Sequence, residues 1–215
     1  MTMKTVDVKW ETTDFRRALD RYMKGSRRDI GTVMRQQCKK IIESVAMVMP
    51  PSSAGSVAPA KARKQGETRI RGDLQKLFVK TRRSPQETNL ASIHKANRNS
   101  RGRVRRVSQK FPVSPADFNA YQKLVLARVG LLASGWKAAA TALGSKLPAW
   151  IRRHNGPGDA SVRDAFNGVT VTATNKVRYA SSGDNDRRVK WAIARQARKL
   201  RSQIDRQLSN NARRF

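Results

Sequence analysis

Few side chains in this sequence could do acid–base, nucleophilic or metal chemistry. The 215 residues include two histidines, one cysteine and four glutamates. His94 sits in a basic stretch and His154 follows Arg152 and Arg153, so neither has a carboxylate close in sequence to orient a ring nitrogen. Both read as solvated surface histidines. Cys38 shares a helical face with Met34, Ile41 and Ile42 and reads as a small core residue, and a single cysteine makes no internal disulfide. Asp184 and Asp186 flank Asn185 in a way that superficially suits a cation. No glutamate closes such a loop, so the two acids read as helix caps. Gly156 and Gly158 bracket a proline and follow a short helix, which does not make a phosphate-cradling loop. The expectation is a protein that is not an enzyme, with no catalytic residue, metal or cofactor.

What the chain does have in excess is positive charge. Lys and Arg number 46 against 15 Asp and Glu, a formal net charge of +31. Such an imbalance works against compaction and calls for an anionic counter-surface. Guanidinium groups make bidentate bonds to phosphate or carboxylate, so the run Arg98, Arg101, Arg103, Arg105 and Arg106, with Arg82 and Arg83 upstream, is the candidate contact surface for nucleic acid or an acidic partner. A second basic block lies in 187–214, where ten Lys and Arg face Asp205 alone. Zinc ligands and a basic zipper are missing and aromatics are few beside the run, so any nucleic-acid contact is expected at phosphates, not bases. A mean hydropathy of −0.67 and the lack of an apolar run near 18 residues give no expectation of membrane insertion. The first twenty residues have no secretory pattern, so synthesis in a cytosol is expected.

The elements that would position these residues follow from periodicity. Residues 1–50 read as a strand and a long amphipathic helix over 14–49, with Trp10 stapling its start, a possible restart at Gly25-Ser26 to Asp29, and Pro50-Pro51 at its end. Residues 51–113 carry only ten Val, Ile, Leu and Phe in the sixty from 51 to 110, with sixteen Lys and Arg, and read as an extended basic arm. Within it Leu74, Leu77 and Phe78 could make a helical turn that docks on a neighbouring subunit. Residues 114–215 open on the cap Ser114-Pro115-Ala116-Asp117, predicting one helix to Gly144. A short helix through Trp150 and Ile151 follows, then a hairpin about Asn167-Gly168 and a C-terminal helix after Gly183. The run 177–180 could extend the sheet. Trp136 and Trp150 read as core or interface residues, and Trp191, on a helix crowded with arginine, as the best subunit-interface anchor. The fold class expected is α+β, with the long N-terminal, central and C-terminal helices packed on a small antiparallel sheet and the basic arm extending from it.

Three pieces then carry a resemblance. They are the opening DFRRALDRYMKGSRRDIGTVMRQQCKKIIESVAMVMP; RVGLLASGWKAAATALGSKLPAWIRRH, with Gly130, Gly135-Trp136, Pro148-Ala149-Trp150 and His154; and TATNKVRYASSGDND, with Asn175, Tyr179-Ala180 and Gly183. In this order they resemble the neck or tail-completion family of long-tailed phages, also described as head–tail joining or minor tail proteins. Ser181-Ser182 stand where that family usually carries an acid, and the basic arm is unmatched. The resemblance implies a homo-oligomeric ring, hexameric or dodecameric, at the head–tail junction. It would be assembled in a host cytoplasm and located in the virion, touching adjacent neck, tail or connector proteins and virion DNA, with no catalytic residues. The alternative is a general basic nucleic-acid-binding protein, chromatin-like or RNA-associated.

Overall fold

The computed structural model describes residues 6–7, 30–52, 58–82, 89–99, 104–165, 168–177, 180 and 183–212. The expectations for Trp10, for the helix before residue 30, and for Arg83, Arg101 and Arg103 lie outside them. The class is α+β, mixing helices with two small sheets. In one sheet, β4 (Gly158–Ala165) and β5 (Gly168–Asn175) form the expected hairpin with Val162 opposite Val171. A two-residue strand, β1 (Val6–Asp7), adds antiparallel to the free edge of β5.

Helix α1 (Ile30–Val48) is the element around which the rest is arranged. Its last turn and a half, Ser44 through Met49, is buried on every side, as expected of a helix surrounded by other elements rather than lying on a surface. The C-terminal helix α8 (Gly183–Ala212) runs antiparallel to it, since Arg188 bonds the carbonyls of Val48 and Ser52 at 2.8 and 2.5 Å while Gln196, two turns on, reaches Ser44. Val189, Ala192, Gln196, Leu200 and Ile204 make the buried stripe of α8 at gaps of three and four.

The basic segment corrects the sequence reading. Residues 59–77 are a helix, α2 (Pro59–Leu77), not an extended arm, and it leads directly into β2 (Phe78–Lys80). Its buried stripe is Ala62, Gly66, Ile70, Leu74 and Leu77. A count of large apolar residues misses two of those five positions, because at four-residue spacing Ala and Gly can line a close helix contact as well as Leu can. β2 pairs in parallel with β3 (Phe111–Val113), thirty-three residues away in register, so the segment closes on itself. Between them lies a short helix, α3 (Leu90–Ala96), capped by the Asn89 side chain on Ser92 N–H at 3.0 Å. Phe78 is the hub of an aromatic group, its ring 6.5, 6.3 and 6.4 Å from Phe111, Phe118 and Tyr121.

The expected single helix over 114–144 is three. Helix α4 (Pro115–Ala127) starts as anticipated, with the Ser114 hydroxyl accepting from Asp117 N–H at 3.1 Å, but stops before Gly130. Gly130 has φ of 102°, a left-handed conformation that breaks the helix, and a Cβ there would lie 2.5 Å from the Trp150 carbonyl oxygen. Helices α5 (Leu131–Ser134) and α6 (Lys137–Ala142) follow, then α7 (Ala149–Arg152). Gly135 packs so tightly on the Asn175 side chain that a Cβ would overlap it, while Asn175 Nδ2 donates to the Leu132 carbonyl at 2.8 Å. Ser134 adds a bond from Gly156 N–H at 2.8 Å. Helix α5 is thereby locked to the open end of the hairpin, where β4 begins and β5 ends. In the run 177–180, Ala180 N–H donates to the Val177 carbonyl at 2.7 Å, and residues 178 and 179 lie outside the described residues.

This joint generates a paired expectation. Gly135→Ala should lower the unfolding free energy by about 2 kcal/mol or more through displaced packing. Gly72→Ala, where nothing lies within 4 Å on helix α2, should raise it by about 0.5–1 kcal/mol through helix propensity. Urea unfolding of the two variants checks both signs, and a stable Gly135→Ala protein would remove the joint's importance.

Candidate polyanion interface

Two groups of arginines stand out once the chain is folded. On α8 the buried stripe leaves Arg198, Arg201 and Arg206 on the exposed side, where with Ser202, Asp205, Ser209 and Asn210 they line a shallow groove of about 480 Å³. A 30-residue helix is a rod of about 45 Å, so these guanidinium groups are carried at fixed intervals along a stiff support. Sequence reasoning treats the 187–214 cations as a pool. The period of the buried stripe is the signal that separates the outward arginines from the rest.

The second surface lies at the start of the arginine run. Arg98 and Val104 form an isolated antiparallel bridge, and Arg105 N–H donates to the Asn97 carbonyl at 2.9 Å, so the ends of the run are pinned together. Val104 is buried and anchors the closure, leaving Arg98, Arg105 and Arg106 exposed at its base. Arg82 is also exposed, just beyond β2. Arg128, at the C-terminal end of α4, joins Arg98 close enough for both to act on the His94 and Tyr121 titrations. Arg128 is not evident as part of this cluster from sequence, because only the packing of α3 on α4 brings it there.

His94 is not a solvated histidine. It is 4% exposed, with Nδ1 2.9 Å from the Tyr121 hydroxyl and the two rings edge to face. Burial pushes its pKa down to about 4, and the positive charges of Arg98 and Arg128 push the same way against a smaller opposing pull from Asp73. His154 is half-buried, with Nε2 2.9 Å from the Val129 carbonyl, and so belongs to the α5–α7 joint. Cys38 is half-buried against the core, and burial raises its thiol pKa. Trp136 and Trp150 are core residues.

The proposed interface anchors are placed differently from one another. Leu74, Leu77 and Phe78 are buried at 0, 0 and 4% exposure, so the docking expected on a neighbour is made inside the subunit, on α4 and β3. Trp191 is half-buried at the edge of the core, with the Arg195 guanidinium 5.1 Å from its ring centre. Asp184 and Asp186 fall in the first turn of α8. No group of three or more His, Cys, Asp or Glu among the described residues could hold a metal, and no described helix is long and apolar enough to cross a membrane.

What the cations bond to decides the electrostatics of these surfaces. Ion pairs join Arg63 to Glu67, Lys76 to Asp73 and Lys176 to Asp159. Many other cations lean on neutral acceptors: Lys80 on the Asn119 amide at 3.0 Å and over the Phe118 ring, Arg71 on the Gln122 amide at 3.0 Å, Lys39 on the Gly144 carbonyl at 2.9 Å, and Lys137 on the Asn155 amide at 3.1 Å. Such bonds fix the side chain and leave its charge in place. With 15 acids for 46 cations, most of the positive field has no internal counter-charge.

Comparison with protein-family models, with curated protein sequences and with solved structures finds no match.

The buried histidine gives a pH dependence. A histidine whose folded pKa lies below its unfolded value near 6.5 binds a proton more readily when unfolded. Its stability contribution is therefore complete above about pH 6.5 and is lost as pH falls toward 4. His94→Phe should flatten the stability profile of the native chain in that window by roughly 2 kcal/mol, measured as the difference in urea unfolding between the two proteins at each pH. Parallel profiles would mean that His94 does not stay neutral in the fold.

Proposed function

We propose that this chain is a non-enzymatic structural subunit of a tailed-phage particle, a neck or tail-completion component that works in a ring of identical copies at the head–tail junction. Its basic surfaces lie against virion DNA or the acidic face of an adjacent ring. The observation that carries the polyanion half of this reading is the uncompensated charge, +31 overall, held on a folded surface by bonds to neutral acceptors. A protein with that field is strongly drawn to polyanions.

The phage half is supported by where the motif residues of the resemblance lie. Gly130, Gly135, Trp136, Trp150, His154 and Asn175 are far apart in sequence and meet in one close-packed joint, tied by the contacts of Gly130 with Trp150 and His154 and of Gly135 with Asn175. A joint of this kind builds a scaffold. On this reading the contact residues are Arg82, Arg98, Arg105, Arg106 and Arg128 together with the α8 arginines, in place of a free arm.

A second reading, a general basic nucleic-acid-binding protein, is favoured by the α8 groove, whose exposed guanidinium groups suit any phosphate backbone. Electron microscopy of the purified full chain, with and without nuclease treatment, separates the two. The assembly reading expects closed rings that survive nuclease, and monomers or dimers that bind DNA without closing would favour the alternative. For the contact itself, log affinity for duplex DNA should fall against log salt with a slope of about −0.9 per phosphate contacted. Arg198→Glu with Arg201→Glu should reduce that slope by about two contacts. An unchanged slope would take the α8 groove out of the interface.

A further inference from the structure

We propose that the cleft bounded by α1, the start of α2, the 146–148 loop and α8 is a docking site for an acidic segment of a different protein. The cleft measures about 460 Å³, within the range of roughly 300–1,000 Å³ typical of ligand sites. Three lysines reach it from three separate elements: Lys40 from α1, Lys146 from the loop before α7, and Lys199 from α8. All three are exposed. The acid among the lining residues, Glu43, already accepts a hydrogen bond from the Ser145 hydroxyl. The site is therefore concave and cationic, and it is distinct from the α8 arginine groove.

The chemistry of the lining favours a peptide over a nucleic acid. None of the residues lining the cleft is an arginine or an aromatic, so it offers neither bidentate phosphate recognition nor a base-stacking platform. Its floor includes the buried Met47 and Leu147, which would accept an apolar side chain. Gln37, Gln196 and Gln203 supply amides that both donate and accept, matching an extended backbone, and Gln196 is fixed in place by its bond to Ser44. Lysines at the rim then meet carboxylates as mobile point charges. A second copy is a poor occupant, because this chain holds only 15 acids against its 46 cations. This rests on the reading of the chain as an assembly subunit that faces anionic partners.

The test uses the intact chain and two labelled probes, a peptide of alternating Glu and Leu and a short DNA duplex, followed by fluorescence anisotropy near physiological salt. Lys40→Glu with Lys199→Glu should weaken peptide binding by about tenfold or more and DNA binding by less than about threefold. Reversal at two exposed sites outside the cleft, Lys110→Glu with Lys123→Glu, should leave the peptide within about threefold. Equal losses from the two pairs would make the peptide contact non-specific and overturn the docking site, as would no peptide binding by the unmodified protein. Greater loss of DNA than of peptide from the cleft pair would reassign the cleft to nucleic acid. Failure of the unmodified protein to bind either probe would count against the assembly reading itself, whereas peptide binding untouched by the cleft pair would sink the docking site alone.

Discussion

The constraint on which this structure depends is that a chain with three times as many cations as acids must still close a core. Self-repulsion opposes compaction, and 38% apolar composition leaves little margin to offset it. The fold meets this by concentrating burial. The end of α1 is enclosed by α8, β5 and the short central helices, so one helix organises most of the apolar surface. The basic segment adds its narrow stripe on α2 and the Phe78 aromatic group, a second cluster continuous with the first. Charged side chains stay at the periphery, several of them steadied by carbonyls, amides and a ring face.

That arrangement links stability to function. Hydrogen bonds from Lys and Arg to neutral acceptors order the side chains without cancelling their charge, so on the proposed reading part of the ordering cost of binding an anion would be met in advance. Closing the ends of the arginine run by the Arg98–Val104 bridge has the same effect, because it holds Arg98, Arg105 and Arg106 at one place on the surface. The cost appears at His94, which is kept neutral in a setting where nearby guanidinium groups make a further positive charge unfavourable.

Much of this was legible in the residues, and the failures share a cause. The Ser114 cap, the β4–β5 hairpin and the short helix at Trp150 are local patterns, and local patterns translate directly into elements. Helix α2 was hidden because its buried face uses Ala62 and Gly66, which no count of large apolar residues registers. The parallel pairing of β2 with β3, the burial of His94 under Tyr121 and the approach of Arg128 to Arg98 are non-local and have no signature at either end. The break at Gly130 was readable as a glycine within a helical pattern, yet its reason, the Trp150 carbonyl against it, lies twenty residues on. Of the candidate site, the sign and the density of charge were evident beforehand, while the sorting of cations into an α8 groove, a pinned arginine cluster and a lysine cleft required the fold.

The central claim is that the isolated subunit carries more positive charge than its own structure can offset. It is tested most directly by the urea-unfolding midpoint of the purified chain at about 20 mM and about 500 mM NaCl, a range over which the screening length falls from roughly 20 Å to 4 Å. The account requires the midpoint to rise with salt, and to rise at low salt alone when a polyanion such as polyglutamate is added. A midpoint that is flat or falls with salt, and ignores the polyanion, would show that the charges are already balanced within the fold.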